Sequence, residues 1–281
     1  DGLRLHVAID GPIDGPPVVL LHGFPEFWYG WRHQIPALAE AGYRVIVPDQ
    51  RGYNLSDKPK RVRDYRADQL VADIIGLIDV LELPTVTLIG HDWGGAVAWG
   101  VAEKHGDRVK RLVVLNCPHP AVMVRHLRHN PRQMLRSWYI AWFQVPWLPE
   151  LAMRCWNWRS LTRTLLKMSR RGSFSEDDLR LYREAWSQPG AITAMVNWYR
   201  AMLRARNGSP IPGQINSPTL LIWGEGDRAL GKEMAPDSIG QCDDGKLKYL
   251  PQAGHFVQHD APHEVNELLL GFLKPCNDAS G

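Results

Sequence analysis

The sequence predicts an α/β fold: a mostly parallel central sheet with helices on both faces, interrupted by an inserted helical cap. Three observations carry this expectation. Short apolar runs of strand length alternate with stretches whose apolar residues recur at helical spacing. Several of those runs are apolar at consecutive positions, as in strands buried on both faces. The alternation stops near residue 118 and resumes after residue 213. A length of 281 residues suits one core plus an insertion better than two full domains.

Residues 3–9 alternate and read as an edge strand, followed by a Gly/Pro-rich turn over 11–17. Residues 18–21 are a second, buried strand, running into His22-Gly23-Phe24-Pro25. A helix over 31–41 stops at Gly42. Strand 44–47 ends at Pro48-Asp49, and a polar, turn-rich loop spans 49–59. Residues 67–81 are amphipathic at helical spacing. A strand over 86–89, a helix over 96–104 and a strand over 112–115 follow. No convincing strand appears between Pro118 and Gly213. That stretch holds helical pieces rich in Arg and in Trp: Trp138, Trp142, Trp147, Trp156, Trp158, Trp186 and Trp198. Strands resume at 219–223 and 246–250, and a helix over 262–273 closes the core. The expected core is therefore 1–117 with 214–281, and the cap is 118–213.

Hydrophobic content of 44% and charged content of 22% are ordinary for a soluble globular protein. No apolar run is long enough to span a membrane. The four cysteines (Cys117, Cys155, Cys242 and Cys276) are scattered, without metal spacing or a disulfide framework, which points to a reducing, cytoplasmic compartment. In that setting the acceptor patterns at Asn54 and at Asn207-Gly208-Ser209 carry no meaning. The first residue is Asp1, which reads as a trimmed start. Net charge is +3, unevenly spread: residues 118–213 hold 15 Arg/Lys against 5 Asp/Glu, the remainder 18 against 25. A solvated basic face is the favoured reading, attraction to a lipid surface the sharper one. No nucleic-acid motif accompanies the charge.

The chemistry centres on Gly90-His91-Asp92-Trp93-Gly94, between strand 86–89 and the next helix. This is a nucleophile elbow, with Asp where the better-known form has Ser. Residues without a Cβ let the turn tighten until the central side chain stands clear. A carboxylate suits an electrophilic sp3 carbon, because the alkyl ester it forms can be cleaved by water at its carbonyl. Asp92 therefore points to epoxides or carbon–halogen bonds. Taken alone it also reads as a helix cap; its partners decide. In parallel sheets the site lies beyond the carboxyl ends of the strands. Gly224-Glu225-Gly226-Asp227 and Pro251-Gln252-Ala253-Gly254-His255 fall at two such ends. The order Asp92, Asp227, His255 is nucleophile, acid, base. His255 would activate water and Asp227 would hold its tautomer, with Glu225, Asp243 and Asp244 as rivals for the acid. Backbone N–H groups of Phe24 and Trp93 would form the oxyanion hole. His91 reads as structural.

His22-Gly23-Phe24-Pro25-Glu26, Asp49-Gln50-Arg51-Gly52-Tyr53, Gly90-His91-Asp92-Trp93-Gly94-Gly95 and Gly254-His255 together resemble the epoxide hydrolases of the α/β-hydrolase superfamily, over essentially the whole chain. The resemblance implies two cap tyrosines that donate hydrogen bonds to the epoxide oxygen. Tyr139 stands four residues before Phe143-Gln144, and Tyr199 lies in Asn197-Trp198-Tyr199-Arg200. An opening epoxide generates an alkoxide, which phenols serve better than they serve a departing halide. Haloalkane dehalogenases often carry Asn at the position of Phe24, and fluoroacetate dehalogenases place Arg near the nucleophile, so both resemble this chain less. A non-catalytic binding protein on the same fold is the remaining rival. Asn54 replaces a glycine common in the family's Arg-Gly-Tyr-Gly loop and is expected to take a positive φ. Phe24, Trp93, Trp28, Trp138 and Phe143 are the candidate pocket lining. The implied reaction uses a small-molecule epoxide and water, without metal or organic cofactor. Nucleic-acid and membrane partners are not expected, and the chain is expected to be a monomer or homodimer.

Overall fold

The computed structural model describes residues 2–204 and 213–274. Asn207-Gly208-Ser209 and Cys276 lie outside the described residues. Among the described residues, seven strands form one sheet: β1 (Val7–Asp10), β2 (Pro17–Leu21), β3 (Arg44–Pro48), β4 (Val86–His91), β5 (Val109–Leu115), β6 (Thr219–Gly224) and β7 (Gly245–Leu250). Their order is β1-β3-β2-β4-β5-β6-β7. Only β1 runs antiparallel, pairing with β3; the other neighbours are parallel.

The expected first strand is longer than the observed one. β1 pairs with β3 from Val7↔Pro48 to Asp10↔Val45. Before Val7 the partner strand has run out, and the chain bonds to a loop instead. Arg4 N–H donates to Asp57 Oδ2 and His6 N–H to Ser56 Oγ, both at 2.9 Å. Alternation in the sequence cannot distinguish these two partners.

Successive strand residues face opposite sides of the sheet, and they divide the core accordingly. Val19, Leu21, Ile46, Leu88, Val114 and Leu221 join one apolar cluster, with helices α1 (Gln34–Glu40) absent from it and α2 (Ala67–Val80) and α3 (Trp93–Lys104) contributing Ile74, Val97 and Trp99. Val18, Leu20, Val47, Ile89, Val113 and Ile222 join the other, with Leu38 of α1.

Six helices lie among the described residues between β5 and β6: α4 (Pro120–His129), α5 (Pro131–Arg136), α6 (Trp138–Trp142), α7 (Leu148–Met168), α8 (Glu176–Trp186) and α9 (Ala191–Arg204). After the cap come α10 (Met234–Ile239), α11 (Val257–Asp260) and α12 (Pro262–Leu273). Leu269 of α12 belongs to the second cluster, whereas Leu165, Trp186 and Trp198 of the cap continue the first. Among the described residues, the cap adds to the first cluster and has no separate core.

Two features of the cap matter below. Helix α7 is broken: Trp156, Asn157 and Trp158 take left-handed φ values of 51°, 53° and 62°. The chain doubles back there, so that Ser160 Oγ donates to the carbonyl of Ala152 at 2.9 Å. The end of α7 is tied to the core through Asp260. Asp260 Oδ1 accepts from Arg170 N–H (2.7 Å) and Ser173 Oγ (2.6 Å). Its Oδ2 accepts from Gly254 N–H (2.7 Å), and Met168 O accepts from His255 N–H (3.0 Å).

Candidate active site

Asp92 sits between β4 and α3 with φ 50° and ψ −121°, a conformation that aims its side chain off the end of the strand. The flanking residues permit it. A Cβ on Gly94 would stand 2.1 Å from Leu21 O, and one on Gly90 would stand 2.3 Å from Gly94 O. One carboxylate oxygen, Oδ1, accepts from the backbone N–H of Phe24 at 2.8 Å. The other, Oδ2, lies 3.5 Å from His255 Nε2.

His255 and Asp227 are both buried and meet at 2.7 Å, Nδ1 to Oδ2. Every acceptor site of Asp227 is used. Oδ2 also accepts from Asn116 Nδ2 at 2.8 Å, and Oδ1 from the N–H groups of Ala229 (2.8 Å) and Leu230 (2.9 Å). Burial opposes ionisation of Asp227, but the imidazole and these donors outweigh it and lower its pKa. Burial would likewise lower His255; the Asp227 and Asp92 carboxylates win and raise it well above the usual histidine value. The rival acids stand elsewhere: Glu225 pairs with Lys232, Asp243 with Gln214, and Asp244 is exposed.

Five aromatic rings close over Asp92. Tyr199 contacts Phe24 (5.4 Å between centroids), Trp93 (5.1 Å), Tyr139 (5.8 Å) and Phe143 (4.9 Å), and Phe24 meets Phe143 at 5.7 Å. Burial, then the nearby Asp92 carboxylate, raises both phenols, so Tyr139 and Tyr199 stay protonated. The elements supply this convergence: Phe24 follows β2, Trp93 opens α3, Tyr139 and Phe143 belong to the α6 turn, and Tyr199 to α9. Two expected lining residues stand apart. Trp28 packs on Phe27 and Tyr29. Trp138 is 65% exposed, because one residue along a helix rotates it roughly 100° from Tyr139.

Other participants carry no local signal in the sequence. Asn116, at φ 41°, reaches Asp227 from the end of β5. Its amide orientation is fixed by Gly224 N–H, which donates to Asn116 Oδ1 at 2.8 Å. Behind His255, His91 Nε2 donates to the carbonyl of His255 at 2.9 Å, and its Nδ1 lies 3.2 Å from Glu26 Oε2. Glu26 also accepts from Gln258 Nε2 (2.9 Å), Tyr182 Oη (2.8 Å) and His259 Nε2 (2.7 Å). Burial disfavours its charge, yet the facing His259 and His91 rings hold it well below the usual carboxylate range. His91 thus has the structural place that the sequence reading gave it. Asn54 has φ 38° and donates to Asp49 Oδ2 at 2.8 Å.

The α/β hydrolase fold family matches residues 16–262. The chain is 47% identical to AB hydrolase superfamily protein YfhM of Bacillus subtilis (strain 168), over 98% of this chain and 96% of that protein. It is 38% identical to epoxide hydrolase 2 of Caenorhabditis elegans, over 96% of this chain and 77% of that protein. Among solved structures, a Bacillus megaterium epoxide hydrolase in complex with an inhibitor matches with a TM-score of 0.88 at 32% identity, covering 97% of each chain. With this fold and these identities over nearly its whole length, the chain belongs to the epoxide hydrolases of the α/β-hydrolase superfamily.

Proposed function

We propose that the protein hydrolyses epoxides to vicinal diols through a covalent ester on Asp92. The observation that carries this reading is the placement of the Asp92 carboxylate. One oxygen is held by the Phe24 N–H, the other faces His255, and both lie beneath two neutral phenols. Tyr139 and Tyr199 donate to the epoxide oxygen. Asp92 Oδ2 attacks a ring carbon from the opposite side; a carbon–oxygen bond of the ring breaks, and the alkoxide takes a phenolic proton. Oδ1 becomes the ester carbonyl oxygen, already hydrogen-bonded to Phe24 N–H. The Trp93 N–H is the second donor to the oxyanion that follows.

Esterification removes the charge on Asp92, one of the two carboxylates that raise His255. The imidazolium therefore becomes more acidic at the moment a base is needed. Its proton passes through water to the phenolate, and the neutral His255 then takes a proton from water, whose oxygen attacks the ester carbon. Asp227 holds the Nδ1 proton and stabilises the imidazolium. Collapse breaks the bond between the ester carbon and the alkyl oxygen, which takes the imidazolium proton and leaves as the diol; the new Asp92 carboxyl passes its proton to His255, and the starting state is restored.

The test is intact-protein mass spectrometry of His255→Gln after exposure to an aryl epoxide and, separately, to a haloalkane. A mass gain equal to the whole epoxide, mapped to Asp92, is expected. Alkyl transfer from the haloalkane alone would make the protein a dehalogenase and overturn the reading.

A further inference from the structure

Large apolar side chains are exposed on successive elements of the cap. Leu135 of α5 is 76% exposed, Trp147 before α7 is 70%, and Trp156 at the reversal in α7 is 84%. Met134, Trp138, Val145 and Leu151 between them are exposed as well. Tryptophan is rarely this accessible unless it has a partner. The neighbouring Trp158 shows the contrast: it turns inward and donates from Nε1 to Ser187 Oγ at 2.8 Å.

The charges interleaved with these residues have one sign. Arg132, Arg136, Arg154, Arg159, Arg163 and Lys167 are exposed, and none forms an ion pair among the described residues. The one acid in this stretch, Glu150, is buried against Arg200 at 2.6 Å. Two copies of such a face would repel one another. Tryptophan amid arginine is instead the composition of a surface that rests in the headgroup layer of an anionic bilayer, with indoles at the interface and cations on the phosphates. No helix among the described residues is long and apolar enough to cross a membrane, so the contact would be peripheral.

We infer that the cap face formed by α5, α6 and α7 docks on lipid bilayers bearing anionic headgroups. The sequence reading favours a solvated basic face over a lipid surface; the exposure of Trp147 and Trp156 points to the lipid surface instead. The binding is independent of catalysis and is measured without epoxide.

Co-sedimentation with phosphatidylglycerol/phosphatidylcholine vesicles tests it, with pure phosphatidylcholine vesicles beside. Wild-type protein should bind the anionic vesicles, and its tryptophan emission should shift to shorter wavelength. Raising salt to about 0.5 M should weaken binding, because the charges are exposed. Arg132→Glu/Arg136→Glu should weaken it by roughly 25-fold or more, at roughly fivefold per basic residue lost. Trp147→Ser/Trp156→Ser should weaken it at least tenfold and abolish most of the spectral shift. Circular dichroism checks that each variant folds. No binding by the wild type, equal binding to pure phosphatidylcholine, or unchanged binding by both variants would overturn the proposal. A stable dimer in sedimentation velocity that both variants dissociate would overturn it too, assigning the face to a second copy of the chain.

Discussion

Replacing Asp227 by Asn changes one oxygen to an amide and leaves the shape unchanged, so the site itself sets the outcome. Two backbone N–H groups, Ala229 and Leu230, point at Oδ1. The new amide must keep its oxygen there. Its NH2 then faces His255 Nδ1 and Asn116 Nδ2, where the carboxylate had accepted from both. Asn116 cannot flip to accept, because Gly224 N–H fixes its oxygen. His255 resolves the clash by becoming an acceptor at Nδ1 and carrying its proton on Nε2, the nitrogen that must take a proton from water. A wrong tautomer of this kind costs roughly 10⁴ in rate, or about 5.5 kcal/mol of transition-state stabilisation. Attack by Asp92 needs no base, so Asp227→Asn should still react once. Rapid-quench mass spectrometry should show a stoichiometric burst of ester followed by hydrolysis slowed roughly 10⁴-fold. A loss of less than tenfold, or slow formation of the ester, would refute the assignment of Asp227 as the residue that fixes the base.

Three further outcomes follow from the same geometry. Tyr139→Phe combined with Tyr199→Phe should slow ring opening by about 10²–10⁴ while sparing ester hydrolysis; pre-steady-state fluorescence separates the steps, and a defect confined to the second contradicts the role. His255 is raised above its usual value, so its neutral form is lost as pH falls. The ester should therefore accumulate in mildly acid solution, and accumulation on the alkaline side instead would count against His255 as base. Glu26 has a depressed pKa, so its stabilising contribution is present above the ordinary carboxylate value and disappears as pH falls through the depressed one. Glu26→Gln should cost about 3–5 kcal/mol at neutral pH, because an amide NH2 must face N–H or O–H donors. Urea unfolding across pH should show this loss together with a flatter acid limb.

The centre of the sheet was legible because its strands are buried on both faces and therefore read as apolar runs. Residues 86–89 of β4 and 219–223 of β6 needed no knowledge of their neighbours. β1 failed at its start because strand length depends on what lies alongside, which is not a local property. Asp92 was legible from the turn it occupies, whereas Tyr139 and Tyr199 came only through the family resemblance of the segments around them. Asn116 and Glu26 were not. Glu26 meets Gln258 and His259 across 232 and 233 residues of sequence, and no spacing rule connects them. The cap tryptophans were undecidable for a related reason: the left-handed stretch at Trp156–Trp158 breaks helical periodicity, so one indole turns out and the other in.

Asp260 has a bearing on how far this protein can be rebuilt. It holds Arg170 and Ser173 on one side and Gly254 on the other, while the carbonyl of Met168 holds the N–H of His255. The segment 168–173 is thus shared property of the cap and the loop around His255. A chimera that imports a foreign cap to change substrate range has to preserve this seam, or graft the loop around His255 along with it. A junction placed at the ends of the cap sequence alone would import a new pocket and misplace His255.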